Sequence, residues 1–142
     1  MTIYTIGFTK KTAEQFFTKL QANKVKRLFD IRLNNKSQLA GFAKGHDLEY
    51  FLKTICGIEY FYLPDLAPTD EILDAYQDKK MSWEEYEVKF KQLLNDRKLN
   101  LKKSDFPDAC LLCSEPTAEK CHRRLAAEHL ASLFGGVEII HL

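Results

Sequence analysis

Five short runs that read as strands, each followed by a segment of different periodicity, restrict the architecture more than any other feature of this chain. They are Ile3–Ile6, Val25–Ile31, Ile58–Leu63, Asp108–Cys113 and Val137–His141. Helical signals fill the intervals. Thr12 and Gln15 form a capping-box pattern ahead of Phe16, Phe17 and Leu20, the side chains satisfying amides that a helix start leaves without partners. Asp47 is placed to cap a helix whose Leu48, Phe51, Leu52 and Ile55 recur at helical spacing, with Gly57 as its stop. A short helix is expected near residues 70–78. Ser82 and Glu85 form a second capping-box pattern before Trp83, Tyr86, Phe90, Leu93 and Leu94. Thr117 is placed to open a last helix that runs to Phe134 and stops at Gly135-Gly136.

Alternation of this kind predicts a single three-layer α/β domain over residues 1–142, with a mostly parallel five-stranded sheet and helices on both faces. The 142 residues are enough to bury a core unaided, and ten Phe, six Tyr and one Trp supply its bulk. Lys+Arg at 21 against Asp+Glu at 20 excludes intrinsic disorder driven by net charge and a strongly basic nucleic-acid binder. The balance is uneven, since residues 1–53 hold ten Lys/Arg and four Asp/Glu. Met1 leads straight into Ile3–Ile6 and then Lys10 and Lys11, the reverse of a secretory leader. No run is apolar enough for a membrane span. A cytoplasmic protein with no membrane partner is expected.

Open parallel sheets bind ligands at the carboxyl ends of their strands. The turns after Ile6, Ile31, Leu63 and Cys113 are therefore the places to look. After the first strand, Gly7 and Lys10 precede a helix start, where free amides and a lysine can hold an anion. After the second, Asp30 and Arg32 fall on one face of the strand, with Asn34, Asn35 and Ser37 beyond. The guanidinium can present a fork to a phosphate or carboxylate, or simply neutralise the acid.

The densest cluster is Cys113-Ser114-Glu115, followed by Cys121-His122-Arg123-Arg124. Three readings stay open. Zinc would need Cys110 and Cys113 to converge with Cys121 and His122, but strand positions three apart face opposite ways; no metal site is assigned. A reactive thiol would use the cationic neighbours and the helix N-terminus to favour thiolate, with Glu115 orienting a partner or moving a proton. Burial is the third reading. At 100° per residue, Leu125, Ala126, His129, Leu130 and Leu133 define an inward face. That phase puts His122 near its middle, Arg123 at one edge, Cys121 well off the other, and Arg124 in solvent. Cys56 and Cys110 read as core, and His129 as half-buried.

Ile3-Tyr4-Thr5-Ile6-Gly7, Leu28-Phe29-Asp30-Ile31-Arg32, Gly57-Ile58-Glu59-Tyr60, Leu111-Leu112-Cys113-Ser114-Glu115 and Cys121-His122-Arg123 occur in that order. This series resembles the domain of unknown function 488 family. The resemblance implies an α/β fold and a site involving the two cysteines with the adjacent His and Arg; it implies no particular reaction. Two positions depart from the family pattern: Phe8 stands where a His is usual, and Leu66-Ala67-Pro68 replaces Leu-Gly-Gly. No role passes to position 8, and a differently built loop is expected after the third strand.

The expectation is an enzyme-like domain with a crevice at the strand ends. Lys10, Asp30, Arg32 and Arg123 would bind an anionic small molecule or nucleic-acid component. Cys113, Glu115, Cys121 and His122 would supply chemistry, with the cofactor unspecified. The alternatives are a non-enzymatic nucleic-acid or protein-binding module, and a thiol redox or zinc-binding protein.

Overall fold

The computed structural model of the chain describes residues 1–35, 41–115 and 117–142. Strands β1 (Thr2–Gly7), β2 (Arg27–Asp30), β3 (Glu59–Tyr62), β4 (Ala109–Cys113) and β5 (Glu138–His141) form one sheet in the order β3-β2-β4-β1-β5. Every pairing is parallel. Helices α1 (Ala13–Ala22), α2 (Gly45–Phe51), α3 (Asp70–Gln77), α4 (Trp83–Arg97) and α5 (His122–Phe134) connect them. Among the described residues no helix is long and apolar enough to cross a membrane.

Strand parity divides the core. Ile6, Leu28, Cys110 and Leu112 project to one face, against Phe16, Phe17 and Leu20 of α1 and Leu48 of α2. Ile3, Phe29, Ala109 and Leu111 project to the other, against Tyr86, Phe90 and Leu94 of α4 and Leu125, Ala126 and Leu130 of α5. This is the three-layer α/β arrangement the alternation predicts. Because successive strand residues alternate sides, Cys110 lies among the α1-side residues while Cys113 reaches His122 on the α5 side.

The connections also fix where a crevice opens. The chain leaving β2 crosses to α2 on one face, and the chain leaving β4 crosses to α5 on the other. Between the adjacent ends of β2 and β4 the connections part, which is the topological switch point where open α/β sheets hold ligands.

Several local expectations hold and others need correcting. The Thr12–Gln15 box is complete, with Thr12 N–H donating to Gln15 Oε1 at 2.9 Å and Gln15 N–H to Thr12 Oγ1 at 3.1 Å. Ser82 Oγ caps α4 by accepting from Glu85 N–H at 3.2 Å. Asp47 does not cap: the N-cap of α2 is Lys44, and Asp47 sits in the first turn. Residues Leu52–Cys56 then widen into a π-turn, ended by Gly57 in the left-handed region at φ 66°. The wider turn rotates the following residues off the α-helical phase, and Ile55, expected in the core, is exposed. The last helix starts at His122, not near Thr117. Ser114 C=O accepts from Thr9 N–H at 3.1 Å, and Glu115 C=O accepts from Arg123. These bonds hold the segment after β4 against the end of β1, where it cannot wind into helix. Ser37 lies outside the described residues.

Candidate functional site

β4 delivers Cys113 to the rim of the sheet, and the delayed start of α5 brings Cys121 back beside it. Cys121 is the N-cap of α5, with an extended backbone at φ −136° and ψ 141°. A helical wheel drawn from Thr117 therefore mis-phases it: both cysteines are buried, and Cys121 donates its thiol hydrogen to Cys113 Sγ at 2.8 Å. His122 Nδ1 lies 3.4 Å from Cys113 Sγ, and His122 Nε2 lies 2.7 Å from the carbonyl of Ile31. A carbonyl oxygen only accepts, so Nε2 carries hydrogen and Nδ1 faces the sulfur as the nitrogen free to exchange a proton with it.

The two thiols are driven in opposite directions. Burial alone would raise Cys113, but the Cys121 hydrogen bond, the backbone N–H groups of Ser114 and Glu115, and the charge of Arg123 outweigh it and hold the thiol below its ordinary value. Cys121 is pushed well up by burial first and then by its bond to Cys113 and the charge there. The surroundings favour the thiolate form at Cys113, which accepts the hydrogen bond, and the protonated form at Cys121, which donates it.

Arg123 was expected at the edge of the inward face as a ligand-binding residue; the structure places it fully buried and off the crevice. Its Nε donates to Thr5 Oγ1 at 3.2 Å, and its Nη1 donates to the carbonyl of Glu115. Thr5 Oγ1 also lies 2.6 Å from His141 Nδ1. Arg123 thus straps Glu115, just beyond β4, to Thr5 of β1. Gly7 makes the strap possible: a Cβ there would meet the Glu115 oxygen at 1.6 Å and Arg123 Nη1 at 2.5 Å. Leu133, assigned to the same inward face, is exposed. Arg124, placed in solvent, is half-buried and pairs with Glu87 at 3.2 Å and Glu128 at 2.9 Å.

Across the crevice, Asp30 and Arg32 meet face to face. Arg32 Nε donates to Asp30 Oδ1 at 2.7 Å and Nη2 to Oδ2 at 2.6 Å, while Arg32 N–H reaches Oδ1 at 3.2 Å. Tyr60 Oη donates to Asp30 Oδ2 at 2.6 Å and accepts from Asn35 Nδ2 at 3.0 Å. Burial and then the Asp30 hydrogen bond push the Tyr60 phenol up, so it stays a donor. The guanidinium lies over the Phe8 ring, 5.3 Å from its centroid. Asp30 is fully buried and Arg32 nearly so, but only Arg32 lines the crevice. Asp30 is therefore a positioning residue rather than a ligand contact.

The crevice between the clusters has a volume of about 220 Å³. Arg32, Ser114, Cys113, Cys121 and His122 line it, together with the rings of Tyr76, Trp83 and Tyr86. The rings of Trp83 and Tyr86 stack at 5.0 Å with an 18° interplanar angle. Arg32 and His122, expected at one rim, do share this hollow. Glu115 lines it and is exposed. Lys10 is exposed, takes φ 61°, and lies away from it. Lys11 does not line it either, and burial, then Lys19 and Arg123, lower its pKa; the lysine that lines the crevice is Lys120. Sequence reasoning missed Tyr60 and the Tyr76–Trp83–Tyr86 wall. The signal for Tyr60 was a phenol in a strand, which usually needs a hydroxyl partner when buried.

Fold and site together define an α/β protein with a thiol-bearing crevice at the carboxyl ends of its strands. The family described as "Domain of unknown function DUF488" matches residues 12–130, and the chain belongs to it. No curated protein and no solved structure matches.

Proposed function

We propose that this protein is a thiol-dependent enzyme acting on a small molecule with an anionic, phosphate- or nucleotide-like group. Cys113 is the reactive sulfur. His122 Nδ1 exchanges the proton of that thiol, held in the required tautomer by the Ile31 carbonyl. Cys121 donates a hydrogen bond to the sulfur, and Glu115 at the rim of the crevice is placed to assist proton movement. Arg32 offers positive charge to the anionic group, oriented by Asp30. The observation that carries the reading is the line Ile31 C=O–His122–Cys113 opening on a crevice that Arg32 also lines.

The test is iodoacetamide labelling as a function of pH, with peptide mapping. Thiolate fraction rises with pH, so a lowered thiol pKa moves the half-maximal rate of Cys113 below the ordinary thiol value of 9.0. Cys113→Ser removes the fast-reacting site. Labelling only at Cys56, whose thiol burial pushes up, with an ordinary pH profile, overturns the reading.

A second reading rests on one observation. Cys113, Cys121 and His122 bring their ligand atoms within 4.8 Å of one another. A histidine that donates its other ring N–H to a backbone carbonyl is the usual form of a metal-ligating imidazole. Two sulfurs and one nitrogen suit zinc, with the fourth position facing the crevice. Stoichiometric zinc in the purified protein, lost together in Cys113→Ser and His122→Ala, would select this reading over the first.

A further inference from the structure

The pairing of Cys113 with Cys121 has a use that nucleophilic catalysis does not require. A lone activated thiol serves as a nucleophile; here a second thiol is held in contact with it, at 2.8 Å. The N-cap position of a helix ordinarily carries Ser, Thr, Asp or Asn, whose side chain binds the free amides of the first turn. Cys121 occupies that position in α5 and makes no capping bond. Its side chain is committed to Cys113 instead, on an extended backbone at the very start of α5. Both sulfurs line the crevice, through which a small oxidant can arrive.

We propose that Cys113 and Cys121 are a reversible oxidation site, closing to a disulfide when a hydroperoxide enters the crevice. This goes beyond the reading of Cys113 as a substrate-directed nucleophile and does not depend on it. In the first step the Cys113 thiolate attacks one peroxide oxygen. The O–O bond breaks, Cys113 becomes a sulfenic acid, and the departing oxygen leaves as water or alcohol after taking up a proton. In the second, the Cys121 sulfur attacks the Cys113 sulfur. The S–O bond breaks, hydroxide departs and takes the proton Cys121 gives up, and the S–S bond forms. Two electrons and two protons pass from the thiols to the peroxide; a dithiol reductant returns them by thiol–disulfide exchange. The sulfurs must close from 2.8 Å to roughly 2 Å, the length of a disulfide.

The contacts support the order of attack. Cys113 faces His122 Nδ1, which can take its proton, and so meets the oxidant first; Cys121 donates its hydrogen to Cys113 and lies beside the sulfenic acid once that has formed. Cys110 cannot substitute, because it points into the opposite core layer.

The experiment uses the full chain, reduced and treated with a chelator, then exposed to stoichiometric hydrogen peroxide. Peptide mapping without reduction is expected to show the peptide bearing Cys113 joined to the one bearing Cys121, with intact mass lower by two hydrogens. Labelling of Cys113 by iodoacetamide falls to background and returns after dithiothreitol. Cys121→Ser is expected to form no disulfide and to yield a dimedone adduct at Cys113 instead. A wild-type protein that accumulates a dimedone-reactive Cys113, or oxidises beyond it, with no Cys113–Cys121 link overturns the proposal. So does a link formed through Cys56 or Cys110. These mapping results stand on wild-type protein alone, whatever the variant's folding. If labelling of reduced Cys113 is shifted below the ordinary thiol value and the disulfide fails, only this proposal falls. If the disulfide forms but no substrate adduct is ever found at Cys113, only the enzymatic reading falls.

Discussion

On the β2 side of the crevice, a carboxylate and a guanidinium share two hydrogen bonds, with Tyr60 occupying the same carboxylate. On the β4 side, 91 residues away in sequence from Ile31 to His122, an imidazole and two thiols are linked by single contacts. Both groups are buried to a similar degree. The first is closed: Asp30 meets Arg32 and Tyr60, and the side chain that reaches the crevice, Arg32, is fixed in place. The second holds a proton that can move between nitrogen and sulfur. Burial therefore does not separate scaffold from chemistry here. What separates them is whether the cluster is built on a bidentate ion pair, as at Asp30 and Arg32, or on groups between which a proton can pass, as at His122 and Cys113.

Three substitutions test this contrast. Asp30→Ala strands a buried arginine, and breaking one partner of a buried ion pair costs about 3–5 kcal/mol. Urea unfolding should show that loss, whereas Cys113→Ala should cost roughly 1 kcal/mol, an ordinary single-site effect. A smaller loss for Asp30→Ala than for Cys113→Ala would reverse the assignment of scaffold and chemistry. Gly7→Ala comes next. Its methyl would collide with the Glu115 carbonyl and Arg123, and overpacking of that kind costs about 1–3 kcal/mol. Because the collision loosens the segment that returns Cys121 to Cys113, the melting temperature should fall together with selective labelling at Cys113. A melt unchanged from wild type would mean the strap does not hold that segment.

The smallest effect is expected at Arg124. It is the sequence neighbour of Arg123, yet its ion pairs with Glu87 and Glu128 are partly solvated. Arg124→Ala should change stability by under ~1 kcal/mol, against a clearly larger loss for Arg123→Ala, which orphans Thr5 and the Glu115 carbonyl from their guanidinium. Equal losses in the two denaturation curves would show that the strap contributes no more than a surface pair.

Much of this contrast was legible before any coordinates, and its failures have a common cause. Parity along β4 correctly separated Cys110 from Cys113, since a strand has a fixed period of two and needs no partner to define it. The Asp30–Arg32 juxtaposition followed from the same rule. The wheel for the last helix misplaced Cys121 because it carried the helix across a residue that lies before its start at His122. That start is set by Thr9 holding Ser114 and by Arg123 joining Glu115 to Thr5 of β1, and the Arg123–Thr5 contact spans 118 residues of sequence. Arg123 consequently moved from a presumed ligand contact to an interior strap. Lys10 lies off the crevice and Lys120 lines it, because nothing local to either lysine says which loop the tertiary fold turns toward the strand ends.

The sequence by itself determined the alternation of strands and helices, the face each strand residue takes, and the family to which residues 12–130 belong. These depend on local period and residue type. Only the tertiary structure decided that β4 lies between β1 and β2, that Cys121 returns to Cys113, and that Tyr76, Trp83 and Tyr86 wall the crevice. Strand order and helix start are set by long-range packing, in which one buried arginine and one missing side chain at Gly7 outweigh local helical preference.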